Sequence, residues 1–80
     1  MEQIEVTARF DAHGQINPLG FVWKGRAYRV ESIGRTWKAD DGIHILVMTI
    51  RNRVYHLLFK PDKACWYLLC GGSVPNVPVV

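Results

Sequence analysis

Apolar and polar side chains alternate along much of this chain, and this pattern predicts β-strands. The alternation is clearest over residues 2–10, where the even-numbered positions from 4 to 10 are apolar. Residues 54–60 repeat it, and residues 64–70 carry the aromatic and aliphatic side chains typical of strands. Turn-forming residues recur roughly every 8–12 positions, a spacing typical of small β-sandwiches and barrels. The chain is therefore expected to be all-β, a small antiparallel meander of five to six strands forming an SH3-like barrel or a strongly curved sheet.

The stretch Phe21–Val30 predicts a tight β-hairpin. Lys24 and Gly25 lie between two strand-like runs, and glycine supplies the positive φ that a two-residue turn requires. Such a turn places Trp23 opposite Arg26. Four bulky side chains would then share one face of the hairpin: Phe21, Trp23, Tyr28 and Val30. The hairpin is expected to contribute an aromatic wall to the core.

Three other segments have less regular patterns. Residues 16–19 are interrupted by Asn-Pro and followed by glycine, which favours a connection or a weak edge segment. Gly34 predicts a bulge or bend in the strand that follows the hairpin. Residues 43–50 are apolar on both faces, which is typical of a central strand covered on both sides or of a strand in a dimer contact.

Length and composition limit the chain to one small domain. Its 80 residues are 49% hydrophobic and 21% charged, which is globular in character. Residues 1–70 are expected to form the domain, and residues 71–80 a tail rich in Gly, Pro and Val. The tail is expected either to be floppy or to dock in extended form, for instance on a neighbouring subunit. The residues assigned to this self-association are Ile43, Ile45, Val47, Val77, Val79 and Val80.

The sequence predicts a soluble cytoplasmic protein with no membrane contact, no metal and no cofactor. It has no pattern of a signal peptide, and its longest apolar run, residues 45–48, is far shorter than a membrane helix. Cys65 and Cys70 are five positions apart in one strand, so they are expected on opposite faces and too distant for a disulfide. No Cys-x-x-Cys or His-x-x-x-His spacing suggests a metal site.

Candidate catalytic groups are scattered, and we do not expect an enzyme. His44 and His56 would be neighbours if the loop at residues 51–53 joins antiparallel strands, but facing histidines in a small barrel are more often core or interface residues. The pair Asp40-Asp41 precedes Gly42 and is more simply a hairpin turn than a general acid and base. A pocket that held both histidines and an acidic group would reopen the question.

The positive charge suggests a nucleic-acid contact. The formal net charge is +3 and several cations lie beside aromatic residues, a combination that single-stranded nucleic-acid platforms use. The candidate contact residues are Lys24, Arg26, Arg35, Trp37, Lys38, Arg51 and Arg53. The alternative is that these cations only keep the loops in contact with water and protect strand edges from aggregation.

The order of aromatic residues resembles a family of small bacterial β domains of uncharacterised function. The shared pattern, Phe-x-Trp-x-Gly-Arg-x-Tyr-x-Val followed by a Trp, a Tyr-x-Leu strand and Trp-Tyr-Leu, covers roughly residues 20–69. It is read here as Phe21, Trp23, Gly25, Arg26, Tyr28 and Val30, then Trp37, Tyr55, Leu57 and Trp66-Tyr67-Leu68. Members occur free-standing or at the C-terminus of Y-family-polymerase-like proteins of DNA damage tolerance.

This resemblance implies a non-catalytic accessory domain that contacts nucleic acid or a DNA-repair protein. The alternative left open by the residues is a structural homo-oligomeric β protein with no nucleic-acid role.

Overall fold

The computed structural model describes residues 1–73, which form seven strands. The strands are β1 (Glu2–Phe10), β2 (Ile16–Trp23), β3 (Arg26–Arg29), β4 (Ser32–Ala39), β5 (Gly42–Thr49), β6 (Arg53–Lys60) and β7 (Cys65–Ser73). A short 3-10 turn, Ile50–Asn52, joins β5 to β6. Within residues 1–73, no helix is long and apolar enough to cross a membrane.

The strands form one antiparallel sheet in the order β3-β2-β1-β7-β6-β5-β4, curled into a half-barrel. Two meanders, β1 to β3 and β4 to β7, are joined where β1 pairs with β7. The segment between β3 and β4 joins the two edge strands of the sheet. In it, Val30 N–H donates to the Leu19 carbonyl oxygen of β2 (2.9 Å) and Glu31 N–H donates to the Met48 carbonyl oxygen of β5 (2.7 Å). These two bonds extend the β2–β3 and β4–β5 pairings.

The expected all-β curved sheet is confirmed, and so is the hairpin register. Trp23 lies opposite Arg26 and Phe21 opposite Tyr28. The pairing of β4 with β5 shifts register between Ile33 and Thr36, where Gly34 predicted a bulge. The expected central strand is β5, which lies between β4 and β6.

Three expectations about the strands need correction. The sheet has seven strands rather than five to six. Residues 16–19, expected to be a connection or a weak edge segment, belong to β2, which lies between β1 and β3. Pro18 is tolerated there because the β1–β2 pairing changes register beside it, between Thr7 and Ala8. The last strand also continues through Ser73, so the boundary between domain and tail does not fall at residue 70. Val77, Val79 and Val80 lie outside the described residues.

The core lies on the inner face of the curl and centres on aromatic rings. Phe21 is stacked on Tyr28 with centroids 5.0 Å apart, and both rings contact Tyr55, at 5.1 and 5.4 Å. Such pairs contribute about 0.5–1.5 kcal/mol each beyond the area they bury. The buried apolar residues of this cluster are Phe21, Ile45, Val47, Tyr55, Leu57, Phe59, Trp66 and Leu68.

Part of the expected self-association surface lies in this core. Ile45 and Val47 are fully buried, each with 0% exposure, and Ile43 is half-buried against the same cluster. Because a partner cannot reach the side chains of Ile45 and Val47, their assignment to a surface between subunits is corrected. The odd-numbered side chains of β5 face the core, and the even-numbered ones face outward.

Gly71 is the position in β7 where the Tyr55 ring packs against backbone. A Cβ added at this position would overlap the ring atoms of Tyr55, whereas one added at Gly34 would meet its nearest atom, the Leu46 carbonyl oxygen, at 3.4 Å. We expect Gly71→Ala to lower the free energy of unfolding by about 1–3 kcal/mol through overpacking. Urea denaturation followed by circular dichroism measures it, with Gly34→Ala as the matched strand-glycine control. Equal stabilities of the two variants would contradict the packing of Tyr55 on Gly71.

Candidate functional site

The outer face of β4, β5 and β6 carries a cluster of polar and aromatic side chains. Trp37 of β4 lies directly opposite His44 of β5, and His56 of β6 lies opposite Leu46. Because neighbouring positions in β5 and β6 fill the core, alternation directs these three side chains away from it. The strand register therefore brings Trp37, His44 and His56 together on the outer face of the sheet, where His44 is buried and the other two are half-buried.

Asp41, His44 and His56 form a hydrogen-bonded relay. His44 Nε2 lies 2.7 Å from Asp41 Oδ1, and His44 Nδ1 lies 2.8 Å from His56 Nε2. A carboxylate can only accept, so His44 must donate from Nε2, and in its neutral form it accepts at Nδ1. His56 must then donate from Nε2, which leaves its Nδ1 with a lone pair. The relay thus assigns the tautomers of both imidazoles and orients His56 as a base.

The relay also shifts the proton affinities of its members. The hydrogen bond from His44 lowers the pKa of Asp41 and so favours its ionised form. Burial lowers the pKa of His56, and the neighbouring His44 lowers it further. The neutral imidazole of His56 is therefore favoured in the folded state.

Trp37 covers both imidazoles of the relay. Its ring is parallel to that of His44, with centroids 5.0 Å apart and an interplanar angle of 7°, and it lies 5.3 Å from the ring of His56. The Arg35 guanidinium lies 4.9 Å from the indole centroid in a cation–π contact. Trp37 is half-buried while Arg35 is exposed, so a ligand approaching this layer meets the guanidinium first.

A cleft of about 510 Å³ adjoins this layer, between β4 and the connection from β1 to β2. Its lining combines isoleucines with amide, hydroxyl, imidazole and ammonium groups; it comprises His13, Gly14, Gln15, Ile16, Asn17, Ile33, Thr36, Trp37, Lys38 and Ile43. Asp11 holds the connection in place, because its Oδ1 accepts the backbone N–H groups of His13 and Gln15 at 2.8 and 2.9 Å. The cleft is therefore amphipathic and has one firmly structured wall.

The seven predicted nucleic-acid contacts fall into three separate places. Arg35, Trp37 and Lys38 lie on β4, where Trp37 and Lys38 line the cleft and Arg35 stacks on Trp37 at the outer face. Lys24 and Arg26 lie at the β2–β3 hairpin, where Lys24 Nζ is 4.8 Å from the Trp23 ring centroid. The remaining pair, Arg51 and Arg53, belongs to the connection between β5 and β6 and to the first position of β6. The group on β4 adjoins the cleft between β4 and the β1–β2 connection.

Sequence reasoning missed the role of Asp41 and undervalued the two histidines. Asp40 and Asp41 do form the turn that was expected between β4 and β5. The signal that could have found the relay was Asp-x-x-His at the start of a strand, because this spacing lets a turn carboxylate reach the first outward imidazole. Predicting the contact of His56 with His44 then required only the register of β5 and β6.

The two cysteines are free thiols, and they share the outer face rather than facing opposite ways. Cys65 pairs with Lys60 and Cys70 with His56, two residues four positions apart in β6. The pairing shifts register between His56 and Leu57, and the extra residue of β7 resets the alternation. Among the described residues, no group of three His, Cys, Asp or Glu side chains could hold a metal ion.

Comparison of the chain with protein-family profiles, with curated proteins and with solved structures finds no match. The resemblance to the bacterial β domains therefore remains a prediction.

The relay predicts that acid destabilises the fold. Because the pKa of His56 is lower in the folded than in the unfolded state, the unfolded chain binds more protons on acidification. The stabilising contribution is present above the unfolded pKa of about 6.5 and is lost as pH falls through the folded-state pKa. Urea denaturation should give a smaller free energy of unfolding at pH 5.5 than at pH 7.5.

The variant His56→Gln should reduce this pH difference, whereas His13→Gln, at an exposed histidine outside the relay, should preserve it. A His56→Gln protein with the full pH difference of the unmodified chain would contradict the assignment.

Proposed function

We propose that this chain is a small non-catalytic interaction domain that contacts single-stranded nucleic acid at β4 and its adjoining cleft. The proposal is carried by one juxtaposition: Trp37 stacks with the exposed Arg35 guanidinium on the outer face of β4 and also lines a cleft whose wall includes Lys38, on the opposite face of the same edge strand. Planar guanidinium groups stack on unpaired bases and also pair with phosphates. A chain of net charge +3 adds a general attraction for a polyanion.

In this site the outermost stacking group is the Arg35 guanidinium rather than the Trp37 ring itself. Trp37 already has Arg35, His44 and His56 as ring partners, so its indole is supported from within the protein. Arg35 would make the stacking contact with a base, while Trp37 and the relay hold the guanidinium in position. Lys38, which lies on the opposite face of the same strand and lines the cleft, would pair with a phosphate there.

The cleft favours single strands over duplex. Its volume of about 510 Å³ falls within the range of roughly 300–1,000 Å³ that is usual for small-ligand sites. The amides of Gln15 and Asn17 supply donors and acceptors for a base edge, which is accessible only when the base is unpaired. We infer that the physiological partner is nucleic acid in an unpaired state or a protein that handles it, such as a DNA-repair protein.

Fluorescence anisotropy of a dye-labelled oligonucleotide tests this proposal. At low salt we expect single-stranded DNA to bind more tightly than duplex, and the logarithm of the binding constant to fall with log salt by about 0.7 per phosphate contact. Arg35→Glu and Lys38→Glu should each weaken binding severalfold. Lys63→Glu, an exposed lysine in the β6–β7 turn, is the charge-matched control and should have a smaller effect.

Arg35→Lys separates stacking from charge. The substitution keeps the cation but removes the planar group, so binding should weaken if the guanidinium stacks on a base. An absence of binding at low salt would refute the nucleic-acid function. Equal losses in the Lys63→Glu and Arg35→Glu proteins would show a nonspecific charge effect instead.

A homo-oligomeric structural role is the second candidate. Leu46 and Met48 are apolar, half-buried and on the outer face of β5, so they replace Ile45 and Val47 as the residues that a second copy would cover. Multi-angle light scattering should then show a mass that rises with concentration. Met48→Glu should return the protein to a monomer, and a concentration-independent monomer in the unmodified chain would remove this candidate.

A further inference from the structure

Cys70 lies beside the free end of the histidine relay. It is the direct partner of His56 across the β6–β7 pair, so the two side chains leave the same face of the sheet. Cys70 is exposed and free, and no hydrogen bond of its thiol is found within residues 1–73. A small molecule in solution can therefore reach this thiol.

The relay turns the Nδ1 lone pair of His56 away from β5. His56 uses Nε2 to donate to His44, which lies on β5. The two nitrogens of an imidazole point to nearly opposite sides of the ring, so Nδ1 points away from β5. The strand on that side is β7, and the residue facing His56 there is Cys70.

The array has the order of groups that activates a nucleophile. A carboxylate, Asp41, orients one imidazole, that imidazole orients a second, and the second belongs to the residue paired with Cys70 across β6 and β7. Activation requires a base beside the nucleophile and a third group that orients the base. Lys60 also acts electrostatically on Asp41, and Arg35 contacts the Trp37 ring on β4, two strands from β6 in the sheet order.

We propose that Cys70 is a modification site that undergoes thiol–disulfide exchange with low-molecular-weight disulfides, with His56 as the base. The thiol proton passes to Nδ1 of His56, and the thiolate attacks one sulfur of the disulfide. The disulfide bond breaks as the mixed disulfide on Cys70 forms, and the released thiolate takes the proton back from the imidazolium. The exchange consumes no additional oxidant, and it does not depend on the nucleic-acid proposal.

Cys65 provides an internal reference on the same strand. It is half-buried, its thiol donates to the Lys63 carbonyl oxygen at 3.2 Å, and it pairs with Lys60 rather than with a histidine. A cysteine in this position has no base of its own. The two thiols therefore differ in the feature that the proposal invokes.

The test is the rate of reaction with 4,4′-dithiodipyridine, followed by the absorbance of the released thiopyridone. Cys65→Ser leaves Cys70 as the reporting thiol, and Cys70→Ser leaves Cys65. At pH 7 we expect Cys70 to react faster than Cys65 and faster than the same thiol in urea-unfolded chain. In the Cys65→Ser background, His56→Gln should slow Cys70 by about 10-fold or more, because the base is removed.

Two further measurements test whether His56 acts as the base for Cys70. In the His56→Gln protein, the rate of Cys70 should no longer depend on pH through the protonation of an imidazole. In the unmodified protein, incubation with glutathione disulfide should attach one glutathione to Cys70, as detected by mass spectrometry. Should His56→Gln fail to fold, Asp41→Asn in the exposed turn should still slow Cys70 while leaving Cys65 unchanged. Unchanged Cys70 rates in folded His56→Gln or Asp41→Asn protein would overturn the proposal.

Discussion

The packing of Tyr55 between the two meanders is the interaction on which the rest of this structure depends. Its ring contacts Phe21, Trp23 and Tyr28 of the β2–β3 hairpin, and it lies on the backbone of Gly71 in β7. Burial raises the pKa of its hydroxyl, as expected for a phenol withdrawn from water. One side chain thereby connects the hairpin to the opposite half of the sheet.

This inward packing also decides what the outer face carries. Once Tyr55 and Leu57 point into the core, His56 between them must point out, and the β5–β6 register then brings His44 within reach of it. The relay is thus a geometric consequence of the core rather than a separate feature. The same sheet positions hold Trp37 over the imidazoles, so the surface that we associate with binding is built on a rigid support.

Much of the fold follows from local patterns, whereas the site depends on strand pairing. Alternation and turn residues were enough to predict β1, the hairpin and β6. They failed at residues 16–19, where Pro18 suggested a break in the strand but a register shift accommodates it. They also failed at Gly71, which suggested the start of a tail but lies in β7, where the Tyr55 ring packs against it. Both errors arose because proline and glycine disfavour a strand when only the local sequence is considered. In the sheet, a register shift accommodates Pro18, and the Tyr55 ring of the neighbouring strand requires a glycine at position 71.

The candidate site depends even more than the fold on strand pairing, which local sequence patterns do not specify. The spacing Asp-x-x-His and the loop at residues 51–53 allow Asp41 and His56 to lie on either side of His44, but the contact itself depends on the turn and the strand register together. The extra residue in β7 likewise reversed the expected side of Cys70. Local spacing could predict which residue types were available, but only the assembled sheet shows which of them meet.

The pairing of β1 with β7 has a consequence for how the molecule folds. Glu2 pairs with Leu68, so the contact that unites the sheet joins residues near the beginning and the end of the described chain. Closing so long a loop costs more entropy than forming either meander, and proteins dominated by such distant pairings fold slowly, in about milliseconds to seconds. On a ribosome, this sheet cannot be completed until nearly all of its residues have been synthesised.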